Sequence, residues 1–224
     1  MKNQFIYLIV FFCLFVNLTF SNQIDEKSRK ISTSYFPINN KTKLIYKTSF
    51  GESITSYSKE GENTISSSES DNFKYRQTMV LTENGVYIKE TSQYLKILLF
   101  IKKEGTFTYS KPLLRFPLPL YPGLEWKCET DEYCDGDTSK VIVKGKVISK
   151  ELVTTKAGTF EAMKLESLIE GVGNTKNRVT EWFSEGIGLI KAKIIIEGGG
   201  VMGFMRDILG YGTIEFELKE IRKQ

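Results

Sequence analysis

The sequence predicts an all-β, mainly antiparallel fold, and three observations carry that prediction. Residues 213–219 (TIEFELK) alternate strictly, with Ile214, Phe216 and Leu218 against Glu215, Glu217 and Lys219. That period of two marks a half-buried strand. Turn signals recur along the chain roughly every 8–12 residues, the spacing of short strands. Apolar residues show almost no helical periodicity. Together these point to a sandwich, a barrel or a curved open sheet. The chain has 224 residues, 41% hydrophobic and 26% charged, which suits one medium domain and excludes collagen, a disordered tail or a multi-span membrane protein. It has no histidine, so Ser-His-Asp and Cys-His pairs and His-ligated metals are excluded.

The elements follow in order. Residues 1–21 read as a signal peptide: Lys2, an apolar run over residues 5–16, then Thr19-Phe20-Ser21 before a cleavage point at Asn22. An uncleaved membrane anchor is the alternative, although the run is short for a bilayer span. Cys13 follows Phe12, where a lipobox needs a small residue. The expected location is exported: periplasm, cell envelope or extracellular. Residues 22–34 form a polar, flexible N-terminal segment, and residues 35–224 a single β-rich domain. Residues 49–71, rich in Ser, Thr, Glu and Gly, are expected to be solvent-facing strands joined near Gly51 and Gly61. Residues 94–101 (YLKILLFI) read as one strand buried on both faces, with a helix as the alternative. Residues 141–147 and 162–169 read as further strands, with a turn at residues 157–160.

Loss of residues 1–21 leaves 30 basic against 27 acidic residues, with no basic stripe for nucleic acid. It also leaves two cysteines, Cys128 and Cys134. An even pair in an exported chain favours a disulfide, here across the end of a hairpin that turns at Asp135-Gly136. Two free thiols are the alternative.

A weak internal repeat divides the domain into halves of about 35–110 and 115–224. Phe36-Pro37-Ile38 leads to Leu44, Tyr46 and Lys47; Phe116-Pro117-Leu118 leads to Leu124, Trp126 and Lys127 at the same spacing. Downstream, LTENGVYIK (residues 81–89) matches FSEGIGLIK (residues 183–191). The larger second offset predicts an extra hairpin near residues 141–159. Chance reuse of common strand words is the alternative.

The strings FPLPLYPGLEW, TTKAGTFEAMKLE, EWFSEGIGLIKAK and the terminal ELKEI resemble the DUF3108-like (TapB-like) families of exported bacterial proteins. That resemblance implies a relation to the LolA/LolB superfamily, and so a curved open sheet or incomplete barrel. It supplies no catalytic residues. The Cys128/Cys134 pair and the glycine-rich stretch before the last strand depart from the family pattern.

Few constellations point to chemistry. Residues 198–203 match G-x-G-x-x-G formally, but no helix or βαβ unit follows, so no nucleotide is expected. Glu129, Asp131, Glu132, Asp135 and Asp137 crowd one hairpin tip, but Tyr133 breaks a calcium-loop spacing. No metal, cofactor or enzymatic activity is expected. Residues 199–212 place Val201, Met202, Phe204, Met205, Ile208 and Leu209 between glycines, beside Arg206 and Asp207. They read as a short helix near residues 201–209 plugging the sheet, or as a flap contacting ligand or membrane. The expected function is a non-enzymatic binding or carrier module, holding an apolar small molecule, lipid or protein segment on the concave face. A structural envelope protein with a self-filled core is the alternative.

Overall fold

The computed structural model describes residues 34–38, 41–97, 101–171, 176–197, 206–207 and 212–223. Among the described residues, twelve antiparallel strands follow one another around a ring. They are β1 (Thr42–Thr48), β2 (Gly51–Glu60), β3 (Asn63–Glu69), β4 (Phe73–Thr82), β5 (Gly85–Ile97), β6 (Ile101–Pro117), β7 (Glu125–Cys134), β8 (Asp137–Thr155), β9 (Gly158–Glu170), β10 (Lys176–Ser184), β11 (Gly188–Ile196) and β12 (Thr213–Lys223). Each pairs with its sequence neighbours, and β1 pairs with β12. The barrel is therefore closed, which corrects the expected open sheet. Closure sets Tyr46 opposite Leu218 and Thr48 opposite Phe216. These partners are remote in sequence, so no local pattern announces them. Closure also removes the two free edges that an open sheet would leave.

Local chemistry makes the turns. Thr48, Thr82 and Thr155 each open a Thr-x-x-Gly turn. In each, the hydroxyl accepts from the amide two residues on and donates to the glycine carbonyl. Between β7 and β8, Asp135 and Gly136 both have positive φ (52° and 87°). That is the two-residue turn whose twist matches a hairpin.

Three further expectations change. Residues 94–101 are not one strand: β5 ends at Ile97 and β6 returns from Ile101, its partner. Residues 49–71 do form strands, but alternation turns part of their hydroxyls inward, with Ser53, Thr55, Ser66 and Ser68 buried while Ser56, Ser58 and Ser67 stay on the outer face. No extra hairpin forms near residues 141–159. Instead β8 and β9 are long, at 19 and 13 residues against 10 and 7 for β2 and β3. The repeat words fall six strands apart in both cases. Tyr46 lies on β1 and Trp126 on β7, and Gly85 opens β5 as Gly188 opens β11.

The Cys128–Cys134 disulfide is also corrected. Both residues lie on β7, on the same face, and both are free. Six residues of strand separate their Cα atoms by about 20 Å, against the roughly 7 Å limit of a bridge. The hairpin turn follows Cys134, so Cys134 faces Asp137 and Cys128 faces Val143.

One end of the barrel is filled by residues 34–38. Phe36, 1% exposed, lies 5.6 Å from the Tyr57 ring, 6.1 Å from Phe183 and 6.3 Å from a nearly parallel Phe116. Gly188 makes room for this segment. Its φ is +104°, and a Cβ there would lie 3.1 Å from the Tyr35 carbonyl. Past the bulge at Val147/Ser149, the β8–β9 hairpin leans over the outer wall. The outward Trp182 donates its indole N–H to Glu151 (2.7 Å), and its ring is flanked by Lys164 and Lys191. β8 reaches as far as β12.

Candidate ligand site

Alternation along the strands gives the interior two walls of different chemistry. Strands β2 to β5 turn Ser53, Thr55, Thr64, Ser66, Ser68, Gln77 and Thr91 inward, all buried. Strands β8 to β12 turn Val141, Val143, Val147, Leu165, Val179, Ala192 and Ile214 inward, also buried. A hydroxyl-rich wall thus faces an aliphatic one.

Arg115 stands between them because of a backbone irregularity. Val86 pairs with Phe116 and Tyr87 with Leu114, so Arg115 is the unpaired residue of a bulge in β6. A bulge re-aims the side chain it carries, here into the barrel. Arg115 Nη2 donates to Glu181 Oε1 on β10 (2.6 Å), and Nη1 to Gln77 Oε1 on β4 (3.3 Å). Glu181 lies just before the register shift at Trp182/Phe183, where Ile190 of β11 is the unpaired residue. The guanidinium carbon lies 5.3 Å from the Phe183 ring centre and 5.8 Å from that of Phe116, within cation–π range. The pair is enclosed by a closed wall, yet 19% and 14% of the two side-chain surfaces remain accessible.

Burial opposes the Arg115 charge, but Glu181, Tyr75 and Tyr57 more than offset it and hold the guanidinium above its ordinary range. Burial raises Tyr46, Tyr57, Tyr75 and Tyr109 above the usual phenol range, so all four stay protonated near neutral pH. Tyr46 donates to the Leu189 carbonyl (2.6 Å). On β7, burial pushes the Glu132 carboxyl up, partly countered by a hydrogen bond with Tyr109. The interior thus holds the Arg115–Glu181 ion pair and the Glu132 carboxyl among neutral donors and acceptors. Ser53 Oγ and Thr64 Oγ1 are buried without a protein partner.

The candidate contacts Val201, Met202, Phe204, Met205, Ile208 and Leu209 lie outside the described residues, as does the signal segment at residues 1–21. Of that glycine-framed stretch, Arg206, Asp207 and Gly212 are described; Arg206 and Asp207 are helical and paired at 2.6 Å. The acidic group at residues 129–137 is split by alternation. Glu132 turns inward, while Glu129 pairs with Lys140 on the outer wall (2.7 Å). Among the described residues, no three metal-ligating side chains gather. Sequence reasoning missed Arg115 and Glu181. Arg115 carried a signal nonetheless, as the one charge in the run PLLRFPLPL, residues 112–120.

Residues 133–203 match the DUF3108-like family model. This DUF3108-like segment runs from the end of β7 through β11. It contains Glu181, the Trp182–Glu151 contact and the AGTF and EGIGL words that lead into β9 and β11, whereas Arg115 precedes it. Two solved structures align with the chain at 12% identity. One is a presumed lipoprotein from Parabacteroides distasonis (TM-score 0.45), covering 84% of this chain and 98% of its own. The other is a presumed exported protein with a YmcC-like fold from Bacteroides fragilis (TM-score 0.46), covering 84% of this chain and 99% of its own. No curated protein matches the chain.

Proposed function

We propose that this chain is an exported, non-enzymatic binding or carrier module that holds a small amphipathic guest inside the closed barrel. The observation that carries this reading is Arg115, turned inward by a bulge and partly accessible between a hydroxyl wall and an aliphatic wall. The guest sits within a ring rather than on an open concave face. The outer wall supports a water-facing barrel: Lys140–Glu129, Lys144–Glu170, Lys146–Glu125 and Lys150–Glu161 stud strands β7 to β9. A hydrocarbon-facing barrel carries an apolar band there instead. Export rests on the signal-like residues 1–21.

The alternative, an envelope protein with a self-filled core, draws on the Phe36, Phe116 and Phe183 stack that closes one end. Native mass spectrometry of protein purified from its own envelope, followed by organic extraction, separates the two. A bound mass that survives gentle ionisation supports the binding module. An empty protein that also fails to enhance N-phenyl-1-naphthylamine fluorescence supports the structural reading.

A further inference from the structure

We infer that the outer wall over β3 to β6 carries a second site, an open trough that takes an uncharged saccharide. It does not depend on a guest inside the barrel. The trough holds about 560 Å³ and reaches Asp135 in the β7–β8 turn. That volume falls in the ~300–1,000 Å³ range of small-molecule sites. Alternation places it outside, since Gln77 is buried and its neighbour Arg76 is exposed. Strand register then explains the hollow. Ser67 stands opposite Arg76, Arg76 opposite Ser92, and Ser92 opposite Thr106. Short hydroxyl side chains thus flank one long one. Glu60 draws Arg76 aside, toward the end of β2, with both its oxygens 3.0 Å from Nη2. The next outward row, Glu69, Lys74, Tyr94 and Glu104, carries long side chains that wall the trough.

The lining selects a polar, uncharged ligand. Lys74 and Arg76 are interleaved with the carboxylates of Glu69, Glu104 and Asp135. An ion of either sign meets repulsion from one of these sets. Among the described residues, Lys74, Glu69 and Glu104 are without an ion-pair partner, so their donors and acceptors are open to a ligand. A sugar hydroxyl can donate to a carboxylate and accept from an ammonium, so one ring engages both signs. On the floor, Ser92 Oγ and Thr106 Oγ1 lie 3.1 Å apart, and with Ser67 they add hydroxyls that both donate and accept. The half-buried Tyr94 supplies an aromatic ring with a polar tip, which suits the C–H face and the hydroxyl edge of a pyranose.

The test probes an array of immobilised oligosaccharides with fluorescently labelled mature protein. The array carries neutral, uronic-acid-bearing and amine-bearing sugars. Neutral members are expected to hold the protein about tenfold more tightly than charged ones. Thr106→Lys, which sets a long side chain on the trough floor, should weaken that binding about tenfold, and so should Tyr94→Ala. Thr108→Lys adds the same charge to the same face of β6 outside the trough and should leave binding unchanged. Thr106 and Thr108 are both exposed, so melting curves of these two variants should match wild type. Three results overturn the inference: no member of the array is held, a charged class is held best, or neutral binding survives Thr106→Lys. None of them touches the guest inside the barrel, which the mass measurement on envelope-purified protein decides separately.

Discussion

Arg115 shows how one residue's position in a strand sets its chemistry. In a regular β6, Arg115 and Phe116 would point to opposite faces; the bulge sends both inward. Arg115→Met should therefore cost about 3 kcal/mol, because it leaves Glu181 enclosed without its partner. Adding Glu181→Leu should restore most of that loss, as urea titrations of the single and double variants would show. Glu132 makes an independent test by pH. Burial raises its carboxyl above the ordinary range in the folded state, so the native protein holds a proton that the unfolded chain releases. Its contribution is most favourable below the unfolded value and is lost as pH rises through the folded one. Glu132→Gln should thus gain stability relative to wild type near neutral pH, and the gain should vanish near pH ~4. Melting curves across that range check the sign.

At the level of elements, small irregularities decide the outcome more than propensity does. Trp126 on β7 lies across Gly145 on β8, where a Cβ would come within 2.1 Å of the indole. Gly145→Ala should cost about 1–3 kcal/mol through overpacking. In the Trp126→Ala background the same change should cost almost nothing, a coupling that a double-mutant cycle reads directly. Among the described residues the β6–β7 pairing is the thinnest part of the ladder, with Thr108–Tyr133 and Tyr109–Glu132 as its pairs. Pro112 has no N–H to donate there. The Thr130 hydroxyl substitutes by accepting from the Lys111 amide and donating to its carbonyl.

The whole molecule depends on contacts between its ends. Strand β12 completes the barrel by pairing with both β1 and β11. A chain ending at Gly212 would leave β1 and β11 as long unpaired edges, and should run as dimers or larger assemblies in size-exclusion chromatography. A monomeric product that keeps its β-type circular dichroism would show that closure is dispensable. The six-strand spacing of the repeat words fits two six-strand halves, with β6 and β7 meeting at the thin seam.

The sequence by itself determined whatever depends on neighbours a few residues apart. The alternation of β12, the Asp135-Gly136 turn and the strands at residues 141–147 and 162–169 were legible because side-chain period and turn dihedrals are local properties. The turn between β8 and β9 nonetheless lies at residues 156–157, and residues 158–160 already belong to β9. Only the tertiary structure decided the rest. The hydroxyls of residues 49–71 read as solvent-facing, because alternation names two faces without saying which one becomes the inside. The cysteine pair read as a bridge, because spacing along the chain does not reveal that both residues share one extended strand. Barrel closure and the meeting of Arg115 with Glu181 join residues far apart in sequence. Those contacts exist only once every intervening strand has taken its register, so no window of sequence contains them.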